Sequence, residues 1–142
     1  MFRLLTKAGL AGLLLASSLA AHAAAQESHA WLDPKLLAAA KAEGGTMTIY
    51  SSTNEGEGLP LWALFTKATG IKVNYVRGAD SILISRMMLE YRGNQKSWDI
   101  AQTATINKML PQLLVKFDPP EAKNIMPEAR DPGKLWYGVY AN

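Results

Sequence analysis

The stretch Thr46–Asn54, TMTIYSSTN, decides how this chain is read. A run with strand composition stops abruptly in Ser51, Ser52, Thr53 and Asn54, and a Gly-broken turn then leads into a segment of helical periodicity. A strand that delivers hydroxyls and amides into a loop just before a helix is how α/β proteins build crevices at the carboxyl edge of a parallel sheet. Everything after it reads as two further repeats of this unit.

Immediately upstream, Asp33-Pro34 predicts a helix start: the carboxylate accepts orphan amide hydrogens and proline sits where its missing N–H costs nothing. Leu36, Leu37 and Ala40 fall on one face, and Gly44-Gly45 supplies a stop. Downstream, Leu61, Leu64, Phe65 and Ala68 recur at i, i+3, i+4 and i+7 and predict a second helix with that face buried, ended by Gly70. Ile71–Val76 alternates apolar with polar residues, the pattern of a strand near a sheet edge. Arg77–Ser81 is the next polar loop, followed by a helix expected to bury Ile84, Met87, Met88 and Tyr91. Trp98–Ala101 is a third, brief strand, and Gln102–Thr105 is expected to open a third helix of this series with Ile106, Met109, Leu110, Leu113 and Leu114 on one side. Such alternation with short links implies an α/β fold with a short parallel sheet and right-handed crossovers. Phe117–Pro132 is rich in proline and charge and reads as irregular surface, while Leu135–Asn142 again has strand composition.

The chain has 142 residues, 49% of them hydrophobic, enough for one modest core. Met1–Ala25 reads as a secretory signal: Arg3 and Lys7, an apolar run Ala8–Ala21, then small residues with Ala21-His22-Ala23 and Ala23-Ala24-Ala25 as cleavage candidates. The apolar run is too short for a membrane span. Removing Arg3 and Lys7 from the 15 basic residues leaves 13 against 12 acidic ones, so the segment 26–142 is near neutral. With no basic tract interleaved with aromatics, nucleic acid is not an expected partner. Cysteine is absent, which removes disulfides, thiolate metal sites and a cysteine nucleophile.

The candidate ligand-binding residues are Ser51, Ser52, Thr53 and Asn54 after the first strand, Arg77, Gly78 and Ser81 after the second, and Gln102 and Thr103 after the third. Each loop precedes an expected helix, whose first amides are unpaired and whose dipole is positive there, so an oxygen-rich or anionic ligand suits the common rim. Arg77 could fork onto a carboxylate or phosphate. Against this stands plain helix capping, for which serine, threonine and asparagine are the usual residues. Trp62 and Trp98 read as core residues. Catalytic signals are weak: no G-x-S-x-G elbow occurs, and His29, the single histidine beyond the signal segment, is remote in sequence from Ser51 and Ser52. Glu55 and Glu57 are more simply first-turn charges than acid catalysts. No His/Cys cluster or grouped Asp set suggests a metal site.

LLAAAKAEGGTMTIYSSTN, LFTKATGIKVNYVRGADS, SWDIAQTAT and the closing DPGKLWYGVYAN together resemble the amino-terminal lobe of a periplasmic solute-binding protein of an ABC importer, of the ferric-ion-binding type. The resemblance implies a periplasmic-binding-protein-like II fold with strand order 2-1-3 flanked by helices, of which 26–142 would be a partial first lobe cut at the hinge strand that begins near Tyr137. It also implies a monomer that traps a small-molecule solute between two lobes and hands it to a permease in the inner membrane, without catalysis and without a cofactor. Ferric-binding relatives place a histidine after the first strand and a glutamate after the third; here Asn54 and Ala101 stand at those positions, and neither is a competent ferric ligand. Relatives of this type with such losses bind organic or phosphorylated anions, and the resemblance implies a solute of that kind here. A lobe without its partner would bind weakly or not at all. The alternatives are a ferric-iron-binding protein of the same family, a secreted serine hydrolase using Ser51 or Ser52, and an interrupted gene product without function.

Overall fold

The computed structural model describes residues 29–139; the signal segment lies outside them. Asp33 caps the first helix, α1 (Pro34–Ala42), its carboxylate accepting from the amides of Lys35 at 2.7 Å and Leu36 at 3.3 Å. Then follow β1 (Thr46–Ser51), α2 (Glu55–Thr69), β2 (Lys72–Arg77), α3 (Asp80–Arg92) and β3 (Ile100–Gln102). The three strands form a parallel sheet in the order β2-β1-β3. β1 is thus central and β2 lies at an edge, as the alternation in its sequence requires. Gly70 ends α2 in the left-handed conformation, φ 73°, which only glycine adopts without strain.

Register assigns the two faces. Ser51 stands opposite Arg77 and Gln102, and Ile49 opposite Tyr75 and Ile100, so Ile49, Ser51, Tyr75 and Gln102 share one face. Tyr50, Val76 and Ala101 share the other. On that second face α3 contributes Leu83, Ile84 and Met87 to a core completed by Tyr50 and Met109, with Val76, Trp98 and Ala101 packed against it. Asp99 fastens the start of β3 to β1: its carboxylate accepts from the Thr48 amide at 2.7 Å, and its own amide donates to the Thr48 carbonyl at 2.9 Å.

Several expectations are corrected. The segment after β3 is not a helix but two short 3-10 turns, Ile106–Lys108 and Pro111–Leu113. Pro111 explains it: proline lacks the N–H a helix needs there and pushes Leu110 into extended backbone, ψ 131°. The apolar residues still do their packing, since Ile106, Met109, Leu113 and Leu114 close the α3 side of the core. On α2 the expected inward face is displaced. Leu61 and Leu64 are 53% and 66% exposed, whereas Gly58 and Thr69 are buried. On α3, Tyr91 is exposed and Glu90 is buried in its place. On α1 none of the residues is buried, Leu36 included.

After the turns the chain is irregular, with short 3-10 turns at Pro120–Asn124 and Pro127–Ala129. Tyr137 makes one isolated antiparallel bridge to Arg130, and its hydroxyl donates to the Phe117 carbonyl at 2.9 Å. The expected crossing strand beginning near Tyr137 is not formed up to Val139, and its remainder lies outside the described residues. Among the described residues no helix is long and apolar enough to cross a membrane.

Candidate functional site

Because all three strands run parallel, their carboxyl ends share one rim. An open crevice of about 950 Å³ lies there. Ser52, Thr53 and Asn54 line it from the β1 loop, Ala79 and Asp80 from the β2 loop, and Gln102 and Ala104 from the end of β3. Glu57, Gly58 and Leu61 of α2 form one wall, and Val139 reaches it from the chain's last described turn.

The rim is held by bonds between loops. The Ser52 amide donates to the Gln102 carbonyl at 3.0 Å, and the Gly78 amide to the Ser51 carbonyl at 3.1 Å, so each outer loop is tied to the central one. Ser51 is fully buried. Its Oγ lies 3.0 Å from Gln102 Oε1 and 2.8 Å from the Tyr75 hydroxyl, and it accepts from the Thr53 amide at 3.1 Å. The Tyr75 hydroxyl also lies 2.8 Å from the Thr53 carbonyl. Thr103 Oγ1 donates to Asp80 Oδ1 at 2.5 Å and accepts from the Thr105 amide at 3.1 Å, which joins the β3 loop to the first turn of α3.

These bonds sort the sequence candidates. Ser52, Thr53, Asn54 and Gln102 line the crevice. Ser51 and Thr103 do not; both spend their hydroxyls in holding the rim together. Arg77 is exposed, and its Nη2 donates to Asn54 Oδ1 at 3.2 Å. Gly78 packs where a β-carbon would come within 2.9 Å of Leu83 Cδ2. Ser81 is exposed on the first turn of α3. Nor are the loop residues simple caps: Asn54 and Ala79, the N-cap residues of α2 and α3, make no side-chain capping bond.

The residue that sequence reading passed over is Asp80. It sits inside a loop already marked as a candidate, but as the first residue of α3 it reads as an ordinary first-turn acid. In the fold its carboxylate receives the Thr103 hydroxyl, and Ser52 and Ala104 act on it from the two neighbouring loops. Burial works to raise its pKa, but these hydrogen bonds and the charge of Lys108 outweigh that and hold it below the ordinary value of 3.8. With Glu57, the crevice therefore carries two carboxylates and neither lysine nor arginine in its lining.

His29 stacks on Trp31, ring centroids 5.4 Å apart, before α1. Ser51 is buried in its hydrogen bonds, so nothing marks it as a nucleophile. Among the described residues no group of three or more His, Cys, Asp or Glu is placed to hold a metal ion. Asn54 is engaged by Arg77, and Ala101 packs beside the core.

No protein-family model and no curated protein matches this chain. Among solved structures it is similar to a Trichodesmium protein, IdiA or FutA, described as in complex with iron and citrate ligands: 29% identity, TM-score 0.56, covering 66% of this chain and 30% of that one. A second similar structure, described as a two-component system protein that mediates signal transduction, is 16% identical with TM-score 0.50, covering 63% of this chain and 30% of that chain. The likeness shows the fold: a partial α/β domain of the periplasmic-binding-protein kind. The chain matches under a third of the length of either structure.

Proposed function

We propose that this chain is the amino-terminal lobe of a secreted solute-binding protein, taking a small oxyanion-bearing solute at the rim formed by Ser52, Thr53, Asn54 and Gln102. The observation that carries the reading is the convergence of all three strand-end loops on one crevice. Neutral donors there face the amino-terminal turns of α2 and α3, neither of which is closed by an N-cap side chain. The similar Trichodesmium structure holds iron and citrate, and citrate is itself such a solute. In this reading the protein is periplasmic and monomeric, a second lobe completes the ligand shell, an inner-membrane permease receives the solute, and no reaction is performed.

A ferric-iron role is the second reading, favoured by the iron in that neighbour. The donor set of the described residues does not supply it alone, since no carboxylate–histidine group converges. Iron would have to arrive as a chelate or meet ligands from a further lobe.

The test is a titration of the chain with carboxylated and phosphorylated small molecules, followed by amide chemical shifts, which register millimolar as well as tight binding. Saturable shifts centred on Ser52, Thr53 and Gln102 are expected. Shifts scattered elsewhere, or none with any compound, would remove the proposal.

A further inference from the structure

We propose that Asp80 is the specificity-determining residue of the crevice, and that it turns away bare oxyanions in favour of solutes that carry a positive centre beside their oxyanion. This deepens the solute-binding reading and rests on it.

The geometry is that of a site already holding a carboxylate of its own. At the junction of the three loops the Thr103 hydroxyl donates to Asp80 at 2.5 Å, and Ser52 and Ala104 stand beside the same carboxylate along the crevice lining. An incoming carboxylate or phosphate would find the Thr103 hydroxyl engaged. It would also meet the fixed charge of Asp80 at short range in a partly desolvated cleft, where like charges repel far more than in water. The low pKa of Asp80 keeps that charge in place through the neutral range.

Two cations stand close by but outside the lining: Lys108, whose charge acts on Asp80, and exposed Arg77, which donates to the lining residue Asn54. The lining itself contains neither lysine nor arginine to receive an oxyanion. Glu57, on the facing wall of α2, adds a second negative charge. What remains for a solute oxyanion is the α2 side, at the amino-terminal turn of that helix, whose first amides lack helical partners. A solute bound there with its positive centre directed at Asp80 satisfies both halves of the crevice. Two chemistries meet that description, an oxyanion chelating a multivalent metal ion and a zwitterion with an ammonium group. Both present a cation a few bonds from an anionic oxygen.

The test uses four probes on the full chain and on Asp80→Asn: citrate alone, citrate with equimolar gallium(III) as a diamagnetic stand-in for iron, propionate, and β-alanine. Amide shifts of Ser52, Thr53 and Gln102 report occupancy. On the native chain at least one cation-bearing probe should bind at least about tenfold more tightly than the corresponding bare anion, citrate or propionate, a difference of about 1.4 kcal/mol. In Asp80→Asn, bare citrate should gain at least about tenfold and that preference should collapse. Which probe binds separates the metal chelate from the ammonium source. Asp80→Ser serves in the same way should the asparagine variant lose its native amide dispersion. Bare citrate binding the native chain as tightly as the variant would overturn the assignment to Asp80 while leaving the crevice a binding site. Failure of both cation-bearing probes on the native chain would also overturn it, and silence from every probe on every chain would remove the binding site as well.

Discussion

The Tyr75 hydroxyl of β2 fills the space left by the missing side chain of Gly58 on α2: a β-carbon there would lie 2.3 Å from Tyr75 Oη and 2.6 Å from Cζ. The ring is rigid and cannot swing aside, because its hydroxyl is held between Ser51 Oγ and the Thr53 carbonyl. A glycine on a helix thereby sets the position of the loop that floors the crevice.

Gly58→Ala should be destabilising by about 1–3 kcal/mol, the usual cost of forcing a carbon into a filled space. Tyr75→Phe, which removes only the hydroxyl, should cost less, about 0.5–1.5 kcal/mol. Urea unfolding of both variants checks the order; an alanine variant as stable as the native chain would show that α2 does not sit this close to β2.

Ser51→Ala removes the hub of the rim and leaves Gln102, Tyr75 and the Thr53 amide short of one partner in a buried setting. A loss of about 1–3 kcal/mol is expected. The same variant separates a structural serine from a nucleophile, since it should lower the unfolding midpoint and leave no hydrolytic activity to be lost.

Asp80 links stability to acid. Burial alone would raise its pKa, but Thr103, Ser52, the Ala104 amide and Lys108 bring it below 3.8, so its unfolded form takes up a proton first as pH falls. Its contribution is complete above the ordinary carboxylate value and is lost as pH drops through the lower folded value. Urea midpoints measured across that acid range should fall less steeply for Asp80→Asn than for the native chain.

Tyr50 does the reverse at alkaline pH. Burial, and then the hydrogen bond its hydroxyl donates to Glu90 Oε1 at 2.9 Å, raise its pKa above the ordinary 10.0. The stability it brings is full below that value and is lost as pH rises through the higher folded value. Phenolate absorbance should show a late-titrating component that is absent from Tyr50→Phe.

Local chemistry carried a large part of this structure. Asp33-Pro34 starts a helix from its own atoms, Gly70 stops one through its positive φ, and period-two alternation puts β2 at an edge. None of these needs a distant partner. The helix expected after β3 failed where a local signal was underweighted: Pro111 outranks the apolar spacing of Ile106 to Leu114. The buried face of α2 could not be read that way, because the leucine periodicity points one way and the fit of Gly58 over Tyr75 the other.

Sequence alone determined the first two strand–loop–helix units, the third strand with its polar loop and the rim on which those loops gather, since these follow from backbone propensity and periodicity and from the short links between segments. Tertiary structure decided which rim residues face the crevice and which merely hold it. Ser51 is consumed by Tyr75 and Gln102, and Thr103 by Asp80. A hydrogen-bonding group serves a ligand only after its neighbours in space have taken their share, and those neighbours lie 23 to 51 residues away along the chain.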